Sequence, residues 1–248
     1  MNTLSILFFL TAILYSSVGF GGGSTYLALL LIWGIPYTIF PIIALGCNII
    51  VVSGNCFNYI RAGNLNFKLL TPYLIGSIPL SFVGGSLPLD KQFFEIILFL
   101  VLLIAGCLLL LNFNSYDNEE AKYRNIPLFW SIAIGGILGF VSGIVGIGGG
   151  IFLSPILFLL KVAKPKNIIT AASLFILINS IFGIIGQLTK EINFEEIYSY
   201  FYLLLIVLIG GQVGNYLNLK IFPTKVLALI TSALVLFVAL RIGINLFK

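Results

Sequence analysis

Read by polarity alone, the chain is a series of long apolar runs separated by short polar breaks. The runs cover about 3–18, 24–33, 38–60, 68–87 and 93–112, and then 127–145, 151–160, 167–187, 195–217 and 224–246. Most approach or reach the ~20 residues that a helix needs to cross a hydrocarbon layer about 30 Å thick, whereas 24–33 and 151–160 reach only about half that depth. Inside lipid the backbone must hydrogen-bond to itself, so these runs predict helices and an all-α, polytopic membrane protein. The sustained polar stretch NFNSYDNEEAKYRN, 112–125, falls near the middle and predicts an extramembrane linker. Its carboxylates Glu119 and Glu120 read as solvated charges. The chain thus divides into a first transmembrane unit, 1–111, the polar linker, 112–125, and a second transmembrane unit, 126–248.

Two stretches depart from the apolar pattern in the same way. SVGFGGGSTYLALLL at 17–31 and GIVGIGGGIFLSPILF at 143–158 each contain three consecutive glycines. A glycine inside a helix costs roughly 1 kcal/mol relative to alanine, so a triplet marks a helix break or a place where another backbone or a ligand comes close. Close helix packing of the GxxxG kind is the alternative for either triplet alone. A shift of 127 positions places Gly19, Gly21, Gly22 and Gly23 on Gly146, Gly148, Gly149 and Gly150 without a gap. It also matches Ala44 to Ala171, Ser53 to Ser180, Asn66 and Phe67 to Asn193 and Phe194, Tyr73 to Tyr200, and Gly84 to Gly211. A register held over that distance predicts two homologous halves with helices broken at glycine-rich turns.

Two arrangements of the halves compete. If 3–33 is one broken helix that crosses the membrane, the halves are parallel. If 3–18 enters to about mid-depth and 24–33 returns, the halves are inverted. Basic residues gather on the cytoplasmic side. In the parallel arrangement Arg61, Lys68, Lys122, Arg124, Lys190, Arg241 and Lys248 face Lys91, Lys161, Lys164, Lys166, Lys220 and Lys225, which is no bias. In the inverted one, Lys91, Lys190, Arg241 and Lys248 stand alone against the other nine. Inverted halves with both termini external and the linker cytoplasmic are therefore expected.

Composition narrows the function. With 60% apolar and 8% charged residues, no soluble core of this size could be covered, so the solvent is the lipid bilayer. The first run has no basic n-region and continues into the glycine motif, so it is expected to remain in the mature chain. The formal charge of +5 is spread over short loops and does not form a nucleic-acid footprint. Cys47, Cys56 and Cys107 lie in apolar runs without metal or disulfide spacing, and there is no histidine. No metal, no cofactor and no enzymatic activity are expected, and no nucleotide-binding glycine-rich motif followed by lysine is present.

What remains is the backbone. Segments that begin after glycine turns at mid-depth present free N–H groups and a partial positive charge, and can hold an anion without a charged side chain. Gly21, Gly22, Gly23, Ser24 and Thr25 in the first half, and Gly148, Gly149 and Gly150 in the second, are the candidate substrate-binding residues. Ser24 or Thr25 serves either as helix cap or as ligand contact. Asn48, Asn55 and Tyr59 share a helix face, and Ser173, Asn179, Ser180 and Gln187 offer polar groups in the other half; of these, Asn48, Asn179 and Ser180 are the favoured ligand contacts. Helix-to-helix hydrogen bonding is the alternative for each. Gln212 and Asn215 are weaker candidates.

GFGGGSTYLALLLIWGIP and GIGGGIFLSPILFLLKVAKP, together with TAASLFILINSIFG at 170–183, resemble the sulfite exporter TauE/SafE family, and the resemblance covers both halves. It implies the transport of sulfite, thiosulfate, sulfoacetate or another small organosulfur anion across the bacterial inner membrane. The resulting reading is a secondary transporter or facilitator for a small anion, working by alternating access around the paired breaks. An anion channel and a non-transporting membrane assembly factor are the alternatives, and a homo-oligomer is left open. Single cysteines at Asn114 and Lys248 in a cysteine-free background are expected to label from the cytoplasmic and the external side, respectively. Labelling of both from one side would overturn the inverted arrangement.

Overall fold

The computed structural model describes residues 3–111, 124–191 and 193–218, together with isolated positions between 229 and 246. Most of the predicted linker, including Asn114, and most of the tenth apolar run lie outside the described residues, as do Lys220, Lys225, Arg241 and Lys248. The helices are α1 (Thr3–Val18), α2 (Gly23–Ile32), α3 (Phe40–Arg61, preceded by a 3₁₀ turn at Tyr37–Ile39), α4 (Phe67–Ser86) and α5 (Lys91–Leu111). They continue with α6 (Leu128–Val145), α7 (Gly150–Leu160), α8 (Pro165–Gln187) and α9 (Phe194–Asn218). Among the described residues there is no strand, and six helices are long and apolar enough to cross a membrane. The architecture is an all-α, polytopic membrane protein.

Local chemistry sets several helix ends. Pro41 and Pro165 occupy first-turn positions of α3 and α8, where a missing N–H costs nothing. Asn66 caps α4 by accepting from Leu69 N at 3.2 Å, and Asp90 accepts from Phe93 N at 2.8 Å at the start of α5. Gly146, at φ +88°, ends α6 in the left-handed region.

The two glycine stretches fold their helices back on themselves. Phe8, in the middle of α1, stacks on Tyr26 in the first turn of α2 with centroids 4.8 Å apart, which a broken but continuous helix could not allow. Likewise, a Cβ at Gly149 would lie 3.4 Å from the carbonyl of Leu138 in α6. The descending arms are longer than half-depth: 16 residues in α1 and 18 in α6 amount to about 24 and 27 Å. Each hairpin therefore reaches past the middle of the bundle before it turns.

Helices from different halves pack by backbone approach. Gly76 and Gly84 of α4 sit on the carbonyls of Ile132 and Phe140, while Gly135, Gly139 and Gly143 of α6 sit on those of Tyr73, Ser77 and Ser81. The partners rise together along both helices, so α4 and α6 run parallel. Gly210 and Gly214 of α9 sit in the same way on the carbonyls of Phe9 and Ile13 in α1, and Ser16 Oγ donates to Gly211 O at 2.7 Å. Without a hydrophobic drive between helices in lipid, such close approach supplies much of the attraction. In contrast, α3 and α8 cross antiparallel: Leu45 lies beside Gly183, whereas Tyr59 and Ile169 meet at Gly19.

Charge is segregated between the two ends of the bundle. Arg61, Lys68, Arg124, Lys161, Lys164 and Lys166 lie at the end where α4, α6 and α8 begin. The described carboxylates, Asp90, Glu95, Glu191, Glu195 and Glu196, lie at the other end with Lys91 and Lys190.

The seam predicts a contrast between two glycines. In Gly143→Ala the new methyl would meet the Ser81 carbonyl, and a loss of about 1–3 kcal/mol is expected. In Gly211→Ala the methyl would meet only ordinary contacts, 3.5 Å from Val51 Cα, and helix propensity should leave the protein as stable or about 0.5–1 kcal/mol more so. Thermal melting in detergent checks both, and equal shifts would remove the seam from the account.

Candidate functional site

The turns are built by left-handed glycines. Gly19 and Gly22, at φ +84° and +88°, frame the first, and Gly146, Gly148 and Gly149, at +88°, +82° and +76°, frame the second. Gly22 and Gly149 are the N-caps, so α2 and α7 start at Gly23 and Gly150, one residue before the positions expected from the sequence. Neither cap uses a side chain. The hydroxyls of Thr25 and Ser24 instead face Tyr15 OH, at 2.7 and 3.5 Å, and tie α2 to α1 inside the hairpin.

Asn48, fully buried on α3, is where the two turns meet. Its Nδ2 donates to the carbonyl of Ile147 at 2.9 Å. A Cβ at Gly23 would lie 2.7 Å from Nδ2 and 2.8 Å from that carbonyl, and one at Gly148 would lie 2.8 Å from Nδ2 and 3.0 Å from Ser180 Oγ. Gly21 also packs directly on the Asn48 amide. Asn48 Oδ1 and Ser180 Oγ are buried without hydrogen-bond partners. Buried polar groups are costly when unpaired, and such groups mark places with an unmet partner.

Not every expected contact is brought here. Gly22 faces the rings of Tyr15 and Tyr26, Gly149 faces Phe175, and Gly150 faces Ile176 and Ala172, so these three shape the turns from behind. Asn179 donates from Nδ2 to Phe175 O, and its own carbonyl accepts from Ser81 Oγ, both at 2.8 Å. Those two bonds serve helix α8 and its packing on α4. Tyr59 reaches the first turn at Gly19, whereas Asn55, on the same face of α3, is buried with its amide unpaired.

Three carbonyls at or beside the turns are served by side chains: Ser173 Oγ donates to Gly19 O, Asn48 Nδ2 to Ile147 O, and Gln187 Nε2 to Gly143 O, in the last turn of α6, at 2.8 Å. The amides that open the returning helices receive no such service. The first internal bonds of α2 and α7 run from Thr25 and Tyr26 N to Gly22 O, and from Phe152 and Leu153 N to Gly149 O. The N–H groups of Gly23, Ser24, Gly150 and Ile151 precede these bonds, and no acceptor among the described residues takes them. Donors in excess at two helix N-termini favour a negative guest. The cavity between Tyr15, Gly22, Ile147 and Ile176 is only about 10 Å³, so the site is closed in this conformation.

A larger cavity of about 610 Å³ opens at the carboxylate-bearing end and descends to Pro41, Ile144 and Gln187. Gly146 rests on Pro41, 2.5 Å from its Cα if it carried a Cβ, so the floor of this vestibule adjoins the second turn. Half-buried Lys190 stands in the wall and donates from Nζ to Gln187 Oε1 at 2.9 Å. Burial pushes its pKa down from the ordinary 10.5 to about 8. Sequence reasoning treated Lys190 only as a topology marker. The signal that could have found it is the i, i+3 spacing to Gln187 across the end of α8.

The family model for sulfite exporter TauE/SafE matches residues 4–242. A probable membrane transporter protein of Sinorhizobium fredii is 27% identical over 244 residues, 96% of either chain. Another of Methanocaldococcus jannaschii is 28% identical over 248 residues, 93% of this chain and 91% of its own length. A third, from Bacillus subtilis, is 23% identical over 256 residues, 92% of this chain and 91% of its own length. No solved structure matches the chain. A match of this extent, on a fold of apolar helices with two glycine turns facing each other, places the chain: it is a membrane transporter protein that belongs to the sulfite exporter TauE/SafE family.

Proposed function

We propose that the protein is a secondary carrier for a small sulfur-containing oxyanion, such as sulfite, thiosulfate or an organosulfonate, which it binds at the paired turns around Asn48. The observation that carries this reading is the meeting at Asn48 of two turns whose helices begin with N–H groups, at Gly23, Ser24, Gly150 and Ile151, that no acceptor among the described residues takes. Sulfite or a sulfonate group would present several acceptor oxygens to donors arriving from both sides.

The two units act as inverted halves. The shift of 127 carries the bounds of α1 to α4 close to those of α6 to α9, and it exchanges the α1–α9 seam with the α6–α4 seam. Antiparallel α3 and α8 are what a two-fold axis in the membrane plane requires. The end rich in lysine and arginine faces the cytoplasm of a bacterial inner membrane, by the bias of basic residues. The vestibule at Lys190 then opens outward, and the closed turns separate it from the cytoplasm. Transport proceeds by exchanging which turn adjoins an open vestibule. A void of about 10 Å³ at the turns does not fit a continuously open pore.

Gly22→Ala and Gly149→Ala force a side chain onto left-handed backbone, and anion uptake should fall more than about tenfold. Asn48→Ala should weaken anion affinity by roughly 1–3 kcal/mol. Initial-rate uptake into proteoliposomes at matched incorporation is the measurement; wild-type rates from both glycine variants would reduce the triplets to packing devices.

A second expectation follows from Lys190. Because burial lowers its pKa, the ammonium that can attract an anion is present below about pH 8 and is lost as pH rises through that value. Uptake from the vestibule side should therefore decline through pH 8, and Lys190→Gln should flatten the decline. An unchanged profile in the variant would remove Lys190 from the path.

A further inference from the structure

At the cation-rich end a second cavity, about 370 Å³, opens between the beginnings of α4 and α6. Lys68 and Arg124 stand exposed on its rim, and Tyr73 and Ser131 form its buried floor. Arg124 is held in place through its backbone, whose N–H donates at 2.9 Å to the carbonyl of Lys161, where α7 ends. Among the described residues neither Lys68 nor Arg124 has a carboxylate partner, and no carboxylate lines the cavity. Asn66 Oδ1 caps α4 at Leu69 N, whereas α6 begins after Pro127 without a side-chain cap. Two cations around a concave space to which the described residues supply no counter-charge are matched by an anion.

The depth of the cavity says which anion. Phe67, Phe129 and Trp130, in the first turns of α4 and α6 next to its lining residues Lys68, Leu128 and Ser131, are 70%, 73% and 59% exposed. A girdle of exposed aromatic residues at the ends of spanning helices sits at the level of lipid headgroups. Basic pockets between helices at that level suit phosphate-bearing headgroups, with guanidinium pairing to phosphate oxygens and an ammonium adding charge. We propose that this cavity binds the phosphate group of an anionic phospholipid, with Arg124 and Lys68 as its ligands. Lys68 comes from the first unit and Arg124 from the end of the polar linker, tied by its N–H to Lys161 of the second unit, so the headgroup braces the α4–α6 seam from its end. The substrate turns take no part, and the site stands whether or not they bind a sulfur oxyanion.

The test uses the full chain in detergent, with phosphatidylglycerol, phosphatidylcholine or inorganic phosphate added, read by thermal midpoint and by lipid adducts in native mass spectrometry. Phosphatidylglycerol is expected to raise the midpoint and to stay bound, and phosphatidylcholine is not. The double variant Lys68→Gln/Arg124→Gln should raise the apparent Kd for phosphatidylglycerol about tenfold. Lys164→Gln/Lys166→Gln removes the same charge from the same end but outside the cavity, and should leave the Kd unchanged. Stabilisation by inorganic phosphate, lost in the first double variant, would keep the cavity as a phosphate site and overturn the lipid as its source. Equal losses in the two double variants, or no preference for phosphatidylglycerol over phosphatidylcholine, would overturn the proposal.

Discussion

In a hydrocarbon layer each backbone N–H and C=O must find a partner within the protein, and the fold follows from that requirement. Helices satisfy it along their length, so nearly the whole described chain is helical. The two glycine turns are the exceptions, and they are placed deep inside the bundle, where other helices can serve them. Three side chains, Ser173, Asn48 and Gln187, reach their carbonyls, and the long arms α1 and α6 exist to carry the breaks inward past the midplane. The same rule explains the seams: where α4 meets α6 and α9 meets α1, glycines expose backbone to backbone, and the helices approach closely enough for dispersion to hold them.

Much of this was legible in the sequence because lipid imposes a coarse code. Run lengths matched the helices within a residue or two at most ends. The glycine offset of 127 placed both breaks. Which way the chain turns after a break was not legible in the triplets themselves, which permit a hairpin and a broken span alike; the distribution of lysine and arginine favoured the return, and the Phe8–Tyr26 stack shows it for the first hairpin. Nor could periodicity tell Asn48 from Asn179. Both lie on apolar helices, but one faces the opposite unit's turn and the other bonds to its own helix and receives Ser81, a difference of facing that arises only when α3 and α8 cross. Ser24 and Thr25 looked like caps by residue type, yet Gly22 takes the cap because only a left-handed residue can reverse the chain there.

The segregation of charge has a similar origin. Apolar spans leave ionisable residues nowhere to go except the ends, so each end collects whatever sign its loops carry. One end gathers cations around a narrow pocket, and the other gathers carboxylates around a vestibule with Lys190 in its wall. The field at that vestibule is therefore mixed, with the half-buried Lys190 ammonium beside the carboxylates of Glu191 and Glu196.

The three donors that serve the turn carbonyls have no equivalents across the two units. Shifted by 127, Asn48 corresponds to Phe175, Ser173 to Gly46 and Gln187 to Ile60, none of which can donate from a side chain. A carrier whose halves trade places would lose these three bonds in its opposite posture. At about 1 kcal/mol each they tilt the balance by roughly a hundredfold on this count alone. Gradients decide which way cargo flows, but the waiting posture belongs to the protein. On the proposed carrier mechanism, the posture with the Lys190 vestibule open is the one held between turnovers, and the far state is a brief excursion that a bound anion must help to populate.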